Sequence, residues 1–146
     1  MSLDVYLEVE TEVKITSGVS VREGGRNVEI SMEEWNRHFP DRGPVTMSSR
    51  TSEVYEDNIT HNLGKMAGEA GIYEALWRPE EVGITKAEQL IEPLQAGLKN
   101  LKTTPEIYRE HNPSNGWGSY EGLTSFVERY IDACKEYPEA TVSVSR

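Results

Sequence analysis

Two short stretches of this chain concentrate side chains able to hold a ligand or move a proton. Asn58-Ile59-Thr60-His61-Asn62 sets two carboxamides, a hydroxyl and an imidazole side by side. Carboxamides both donate and accept, and the imidazole alone among them titrates near neutral pH, so the stretch suits a polar ligand or general-base chemistry. The second stretch is His111-Asn112-Pro113-Ser114-Asn115-Gly116-Trp117-Gly118-Ser119-Tyr120. Its glycines allow backbone to approach a ligand closely, and the indole between them offers a stacking face. Trp77-Arg78-Pro79 is a third candidate, because a guanidinium beside an aromatic ring grips phosphate or carboxylate. The same residues also have plain structural uses. Thr60 or Asn58 caps a helix, Trp117 pins a loop to the core, and Arg78 is a solvated neighbour of a buried Trp77.

Other chemistries are poorly served. His38, His61 and His111 stand far apart, with no His-x-His, His-x-x-x-His or cysteine pair, which predicts no metal and no cofactor. There is no Walker-type phosphate loop, no Gly-x-Gly-x-x-Gly and no Gly-x-Ser-x-Gly elbow; Gly24-Gly25 reads as a turn. Twenty-five acidic residues against fifteen Lys and Arg give a net charge of −10, so counterion release from a nucleic-acid backbone cannot be the main source of binding energy. Nucleic acid is therefore not the expected partner. No stretch approaches the roughly 20 apolar residues that span a bilayer, and Met1-Ser2-Leu3-Asp4-Val5-Tyr6 lacks a basic region followed by an apolar run. With Cys134 as the only cysteine, no internal disulfide can form. These features predict a reducing, cytoplasmic setting without membrane attachment.

The elements that must position the candidate residues are legible from periodicity. With 146 residues, 36% of them hydrophobic, the chain suits one globular domain. Leu3 to Val9 alternates apolar and polar residues, the period of a half-buried strand. Val19–Arg22 and Asn27–Ile30 flank Glu23-Gly24-Gly25-Arg26 as a hairpin. Ser31 to His38 reads as a short capped helix, Asp41 to Ser52 as a loop, and Glu53 to Ile59 as a strand returning to the sheet. From Thr60 the period becomes helical, with Leu63, Met66, Ala67 and Ala70 on one stripe and Gly71 stopping it. Ile72 to Trp77 adds another turn or two. Thr85-Lys86-Ala87-Glu88 has the form of a capping box opening a helix through Leu101 that Pro93 should kink or restart. Thr104-Pro105-Glu106 opens a short helix through Tyr108, and Tyr120 to Tyr137 is the strongest helix of all. Ala140 to Val144 suits a closing strand. The predicted fold is α+β: a small antiparallel sheet from the N-terminal strands and the C-terminal strand, covered by helices over 60–137, with a variable hairpin insertion at 10–52.

The opening Met1-Ser2-Leu3-Asp4-Val5-Tyr6-Leu7, the block from Asn58-Ile59-Thr60-His61-Asn62-Leu63 through Ala70-Gly71-Ile72-Tyr73 to Leu76-Trp77-Arg78-Pro79, and Asn115-Gly116-Trp117-Gly118 with Tyr120 resemble a family of small phage- and prophage-encoded proteins. Leu90-Ile91-Glu92-Pro93-Leu94 and the ending Val142-Ser143-Val144-Ser145-Arg146 are similar to it too, so the resemblance covers most of the chain outside 10–52. It implies a phage origin, with the host cytoplasm as the place of action, and carries no activity with it. Together these readings predict a pocket for a small, polar, nucleotide-derived ligand lined by Asn58, His61, Asn62, Arg78, Asn115 and Trp117. Sequestration of a host anti-phage signal is the role that a phage origin suggests. Two alternatives stand beside it: a small hydrolase of a nucleotide-like substrate with His61 or His111 as general base, and an acidic inhibitor that binds a basic host protein. The alternating Val and Ile residues of the hairpin further predict a homo-oligomer paired through that edge.

Overall fold

The computed structural model of the chain describes residues 1–13, 20–29, 37 and 48–146. The fold is α+β. Strand β1 (Ser2–Val13) lies between β4 (Ser48–Thr60) and β5 (Thr141–Ser145) in a three-stranded antiparallel sheet. Five α-helices separate β4 from β5: α1 (Gly64–Glu69), α2 (Tyr73–Trp77), α3 (Glu88–Thr103), α4 (Pro105–Arg109) and α5 (Tyr120–Glu136).

The chain divides into two compact units, one made of Met1–Val9 with Ser52–Arg146 and the other of Glu10–Thr51. The second unit is the stretch read from sequence as an inserted hairpin. It contains β2 (Ser20–Glu23) and β3 (Arg26–Glu29), paired antiparallel from Ser20 opposite Glu29 to Glu23 opposite Arg26. The turn is thus two residues, tighter than the four expected, because Gly24 and Gly25 both take positive φ (56° and 80°) and match the twist of the strands.

In the first unit, β1 follows its alternation: Leu3, Val5 and Leu7 are fully buried. The register places Val144 opposite Val5 and Val142 opposite Leu7, so both valines face the same core. Helices α3 and α5 pack along each other and bring in Leu90, Leu94 and Leu101 from one side and Leu123, Phe126, Val127 and Tyr130 from the other. Burying each such side chain contributes about 1.5–3 kcal/mol, which makes this helix pair and β1 the frame on which the loops hang.

Several expectations are corrected. Strand β1 runs to Val13, not Val9, and β4 begins at Ser48, so Ser48–Ser52 is strand where a loop was expected. Pro93 does not restart the helix: α3 is continuous over its 16 residues. Thr85 does not form a capping box. The Gln89 side chain instead accepts from the Thr85 and Lys86 amides (2.8 and 2.9 Å), and the helix begins only at Glu88. The cause is tertiary: Val142 N–H donates to Thr85, while the Ala87 and Glu88 amides donate to Ala140 and Pro138, which straps this segment to β5. The helix expected over Ser31–His38 and the loop over Asp41–Met47 lie outside the described residues, Arg37 excepted.

Cys134 is fully buried on α5, and burial pushes its thiol up to about 12. The thiolate is the reactive form, so the folded protein should resist iodoacetamide at pH 8 and be alkylated fully in guanidinium. Comparable labelling in both states, read by mass spectrometry, would contradict that burial.

Candidate functional site

Thr60 ends β4 in extended conformation, and its hydroxyl accepts from the Asn62 amide at 3.3 Å, capping a short 3-10 turn over His61–Leu63. This is the capping role expected of it. The same junction leaves Asn58, His61 and Asn62 beside one another at the edge of the sheet. The imidazole is not free. Trp77, buried at the end of α2, donates its indole N–H to His61 Nδ1 at 2.9 Å. With Nδ1 accepting, the neutral ring carries its proton on Nε2 and offers a ligand a donor.

The loop from His111 to Ser119 is built to reach this junction. Asn112 Oδ1 accepts from the Tyr120 amide at 2.8 Å and Asn115 Oδ1 from the Trp117 amide at 3.0 Å, two local bonds that fold the loop on itself. Gly118 then lies against the junction with φ of 103°. A Cβ at this position would stand 2.7 Å from Thr60 Cγ2 and 2.9 Å from Leu63 Cγ, so no other residue permits the approach. Asn62 Nδ2 reaches the Trp117 carbonyl across the join at 3.4 Å. The Trp117 side chain is left 70% exposed, so it is not the core anchor of the plain structural reading.

The result is a cavity of about 550 Å³ lined by Asn58, Thr60, His61, Asn62 and Trp117 together with Met1 and Ser2. Two segments more than fifty residues apart in sequence thus meet, with Asn62 and Trp117 separated by 55 positions. Arg78 and Asn115 do not line this cavity. Asn115 instead accepts from the Trp117 backbone amide through its side-chain oxygen. Arg78 is engaged elsewhere: its guanidinium bonds to Glu81 at 3.1 Å, and interaction with Tyr73 and Glu81 holds its pKa above the ordinary value. His111 does not line the cavity either.

A second cavity of about 330 Å³ shares Asn58 and Thr60 with the first and continues past Gly118 to Ser119, the N-cap of α5, and to Ser125 and Arg129 on that helix. Arg129 was missed from sequence, although Gly122, Ser125 and Arg129 stand three and four residues apart and therefore share a helix face. Its Nε–H donates to Asp57 Oδ2 at 2.8 Å, and the Tyr55 hydroxyl donates to the same oxygen at 3.0 Å. Hydrogen bonding to Asp57 pushes the Arg129 pKa up and keeps it charged, while burial and the Asp57 carboxylate push the Tyr55 phenol up and keep it a neutral donor.

Among the described residues, no group of three or more His, Cys, Asp or Glu side chains is arranged to hold a metal ion, and no helix is long and apolar enough to cross a membrane. The class defined so far is an α+β chain with a polar, aromatic-rimmed cavity at the junction of β4 and the loop before α5. Comparison with protein-family models, curated proteins and solved structures gives no match.

Proposed function

We propose that this protein binds a small polar ligand with a planar ring, nucleotide-derived in type, in the cavity at Trp117. The observation that carries this reading is the meeting of Asn58, His61, Asn62 and Trp117 around one space of about 550 Å³. That volume lies in the range of about 300–1,000 Å³ usual for small-molecule sites. Carboxamides present a donor and an acceptor side by side, the pattern that pairs with the edge of a nucleobase, and an exposed indole supplies the stacking face. The His61 ring adds a donor at Nε2. The resemblance to phage-encoded proteins supports sequestration of a host signal as the purpose of such binding. A hydrolase using His61 as general base is the weaker reading, because Trp77 occupies the ring's lone pair.

The test is titration of the four ribonucleosides and their 5′-monophosphates by calorimetry. At least one should bind, and Trp117→Ala should weaken it by the worth of one stacked base, about 1–3 kcal/mol, or roughly 5- to 150-fold. Because the side chain is 70% exposed, the melting temperature should hardly change. The bound compound should be recovered intact after heat denaturation. Failure of every compound to bind, or wild-type affinity in the folded variant, would overturn the reading, and recovery of a cleaved product would establish the hydrolase.

A further inference from the structure

Resting on the reading just given, we propose that Arg129 is the anion anchor of the same site, so that the ligand is a nucleoside phosphate whose phosphate lies along α5 while its ring stacks at Trp117. The two cavities are neighbours. Both are lined by Asn58 and Thr60, and the backbone from Trp117 through Gly118 to Ser119 runs from one to the other. Their chemistry differs in a way that divides a ligand. The first has an indole, two carboxamides and an imidazole, and none of its side chains is a carboxylate, lysine or arginine. The second has two serine hydroxyls and one charged side chain, Arg129.

In a chain of net charge −10, a cavity with a cation and no acid among its lining residues stands out as a place an anion can enter. Asp57 does not cancel this. It takes the Nε–H of Arg129, but a guanidinium has five N–H donors in a planar fork. One carboxylate oxygen on Nε leaves the fork able to meet a phosphate. Asp57 is itself held, by the Tyr55 hydroxyl on Oδ2 and the Asn58 amide on Oδ1 at 2.9 Å, so it acts as a positioning residue that fixes where the guanidinium lies. Ser119 Oγ accepts from the Gly122 amide at 3.1 Å, which leaves its own hydroxyl proton available to a phosphate oxygen. Arg78, the cation first expected here, is engaged by Tyr73 and Glu81 and lines neither cavity.

The experiment compares each ribonucleoside with its 5′-monophosphate, and inorganic pyrophosphate alone, on wild type, Arg129→Gln, Arg129→Lys and Trp117→Ala. Wild type should prefer the monophosphate at least tenfold. Arg129→Gln should keep nucleoside affinity and lose the preference, Arg129→Lys should retain part of it through charge, and Trp117→Ala should weaken both partners equally and leave their ratio unchanged. The Arg129–Asp57 pair is largely solvent-exposed on the arginine side, and a thermal melt verifies that both substitutions fold. Nucleoside binding without phosphate preference, or a preference that survives in Arg129→Gln, overturns this proposal and leaves the ring site standing. If no nucleoside or nucleotide binds, the ring site falls. The anion anchor then stands only if pyrophosphate binds wild type and not Arg129→Gln, and is overturned otherwise.

Discussion

Gly97→Ala is expected to lower the melting temperature by several degrees, although helix propensity alone predicts the opposite sign. Gly97 is buried inside α3, where alanine would ordinarily gain about 1 kcal/mol over glycine. Here a Cβ would overlap Ile72 Cγ2 and come within 3.3 Å of Ile72 Cβ. Ile72 is fully buried and sits immediately before α2, so it cannot swing into solvent. The Asn100 side chain, one turn further along α3, donates to the Ala70 carbonyl at 3.2 Å and holds the two segments at this spacing. Overpacking of this kind costs about 1–3 kcal/mol and at times more, which outweighs the propensity gain. The overlap is deep enough to place the cost at the upper end of that range, which leaves about 2 kcal/mol net of the propensity gain; at about 2–4 °C per kcal/mol for a chain of this size, a drop of roughly 4–8 °C follows. The decisive control is the double variant Gly97→Ala/Ile72→Ala. Removing Cγ2 relieves the overlap, so the double variant should be more stable than the sum of the single losses by about 1 kcal/mol or more. Strict additivity would show that the helix simply shifts to accommodate the methyl.

What could be read from the sequence was whatever depends on local period. The alternation of Leu3, Val5 and Leu7 and the stripe from Leu123 through Tyr130 both became the buried faces they suggest, because burial selects the face and the period sets the element. Thr60 caps the turn at His61 for the same local reason. Misreadings arose where a distant partner outbid the local pattern. Thr85 has the sequence of a helix cap, but its segment is pulled onto β5 and the helix starts three residues later. Arg78 looked available because its neighbours are Trp77 and Pro79, yet Glu81 at i+3 was already in view and takes it. Arg129 carried only a weak signal. Its meaning depends on Asp57, 72 positions away, and on a cavity that exists only once the loop before α5 has reached β4. The local clustering of Asn58, His61, Asn62 and Trp117 in two stretches is legible in the sequence, whereas their meeting around one cavity and the bond from Trp77 that fixes the His61 tautomer require the fold.

That loop hinges on one residue, and Gly118→Ala is expected to cost more in binding than any change to a side chain that lines the cavity. Two penalties coincide there. A φ of 103° is strained for any residue with a Cβ, at about 1–3 kcal/mol, and the new methyl would meet Thr60 Cγ2 at 2.7 Å and Leu63 Cγ at 2.9 Å. Leu63 is buried at 2% exposure, so it cannot yield easily, and Thr60 is held by its cap bond to Asn62. The cheapest relief is for the loop to lift away from β4. Lifting breaks the contact between Asn62 and the Trp117 carbonyl and carries the indole from the carboxamides, while α3, α5 and β1 remain packed. Binding of the preferred nucleotide should therefore fall by more than the roughly 5- to 150-fold expected for Trp117→Ala, with a melting temperature loss of only a few degrees. Gly116→Ala separates the two penalties. Its φ of 76° carries the same kind of strain, but a Cβ there meets nothing within 4 Å, so the loop has no reason to move. Titration of both variants, with the Asn62 side-chain amide followed by nuclear magnetic resonance, reads the difference directly. The Asn62 signal should shift strongly in Gly118→Ala and little in Gly116→Ala. Equal losses in the two variants would mean that backbone strain alone governs the site and that the close approach of Gly118 to Thr60 does not hold it together.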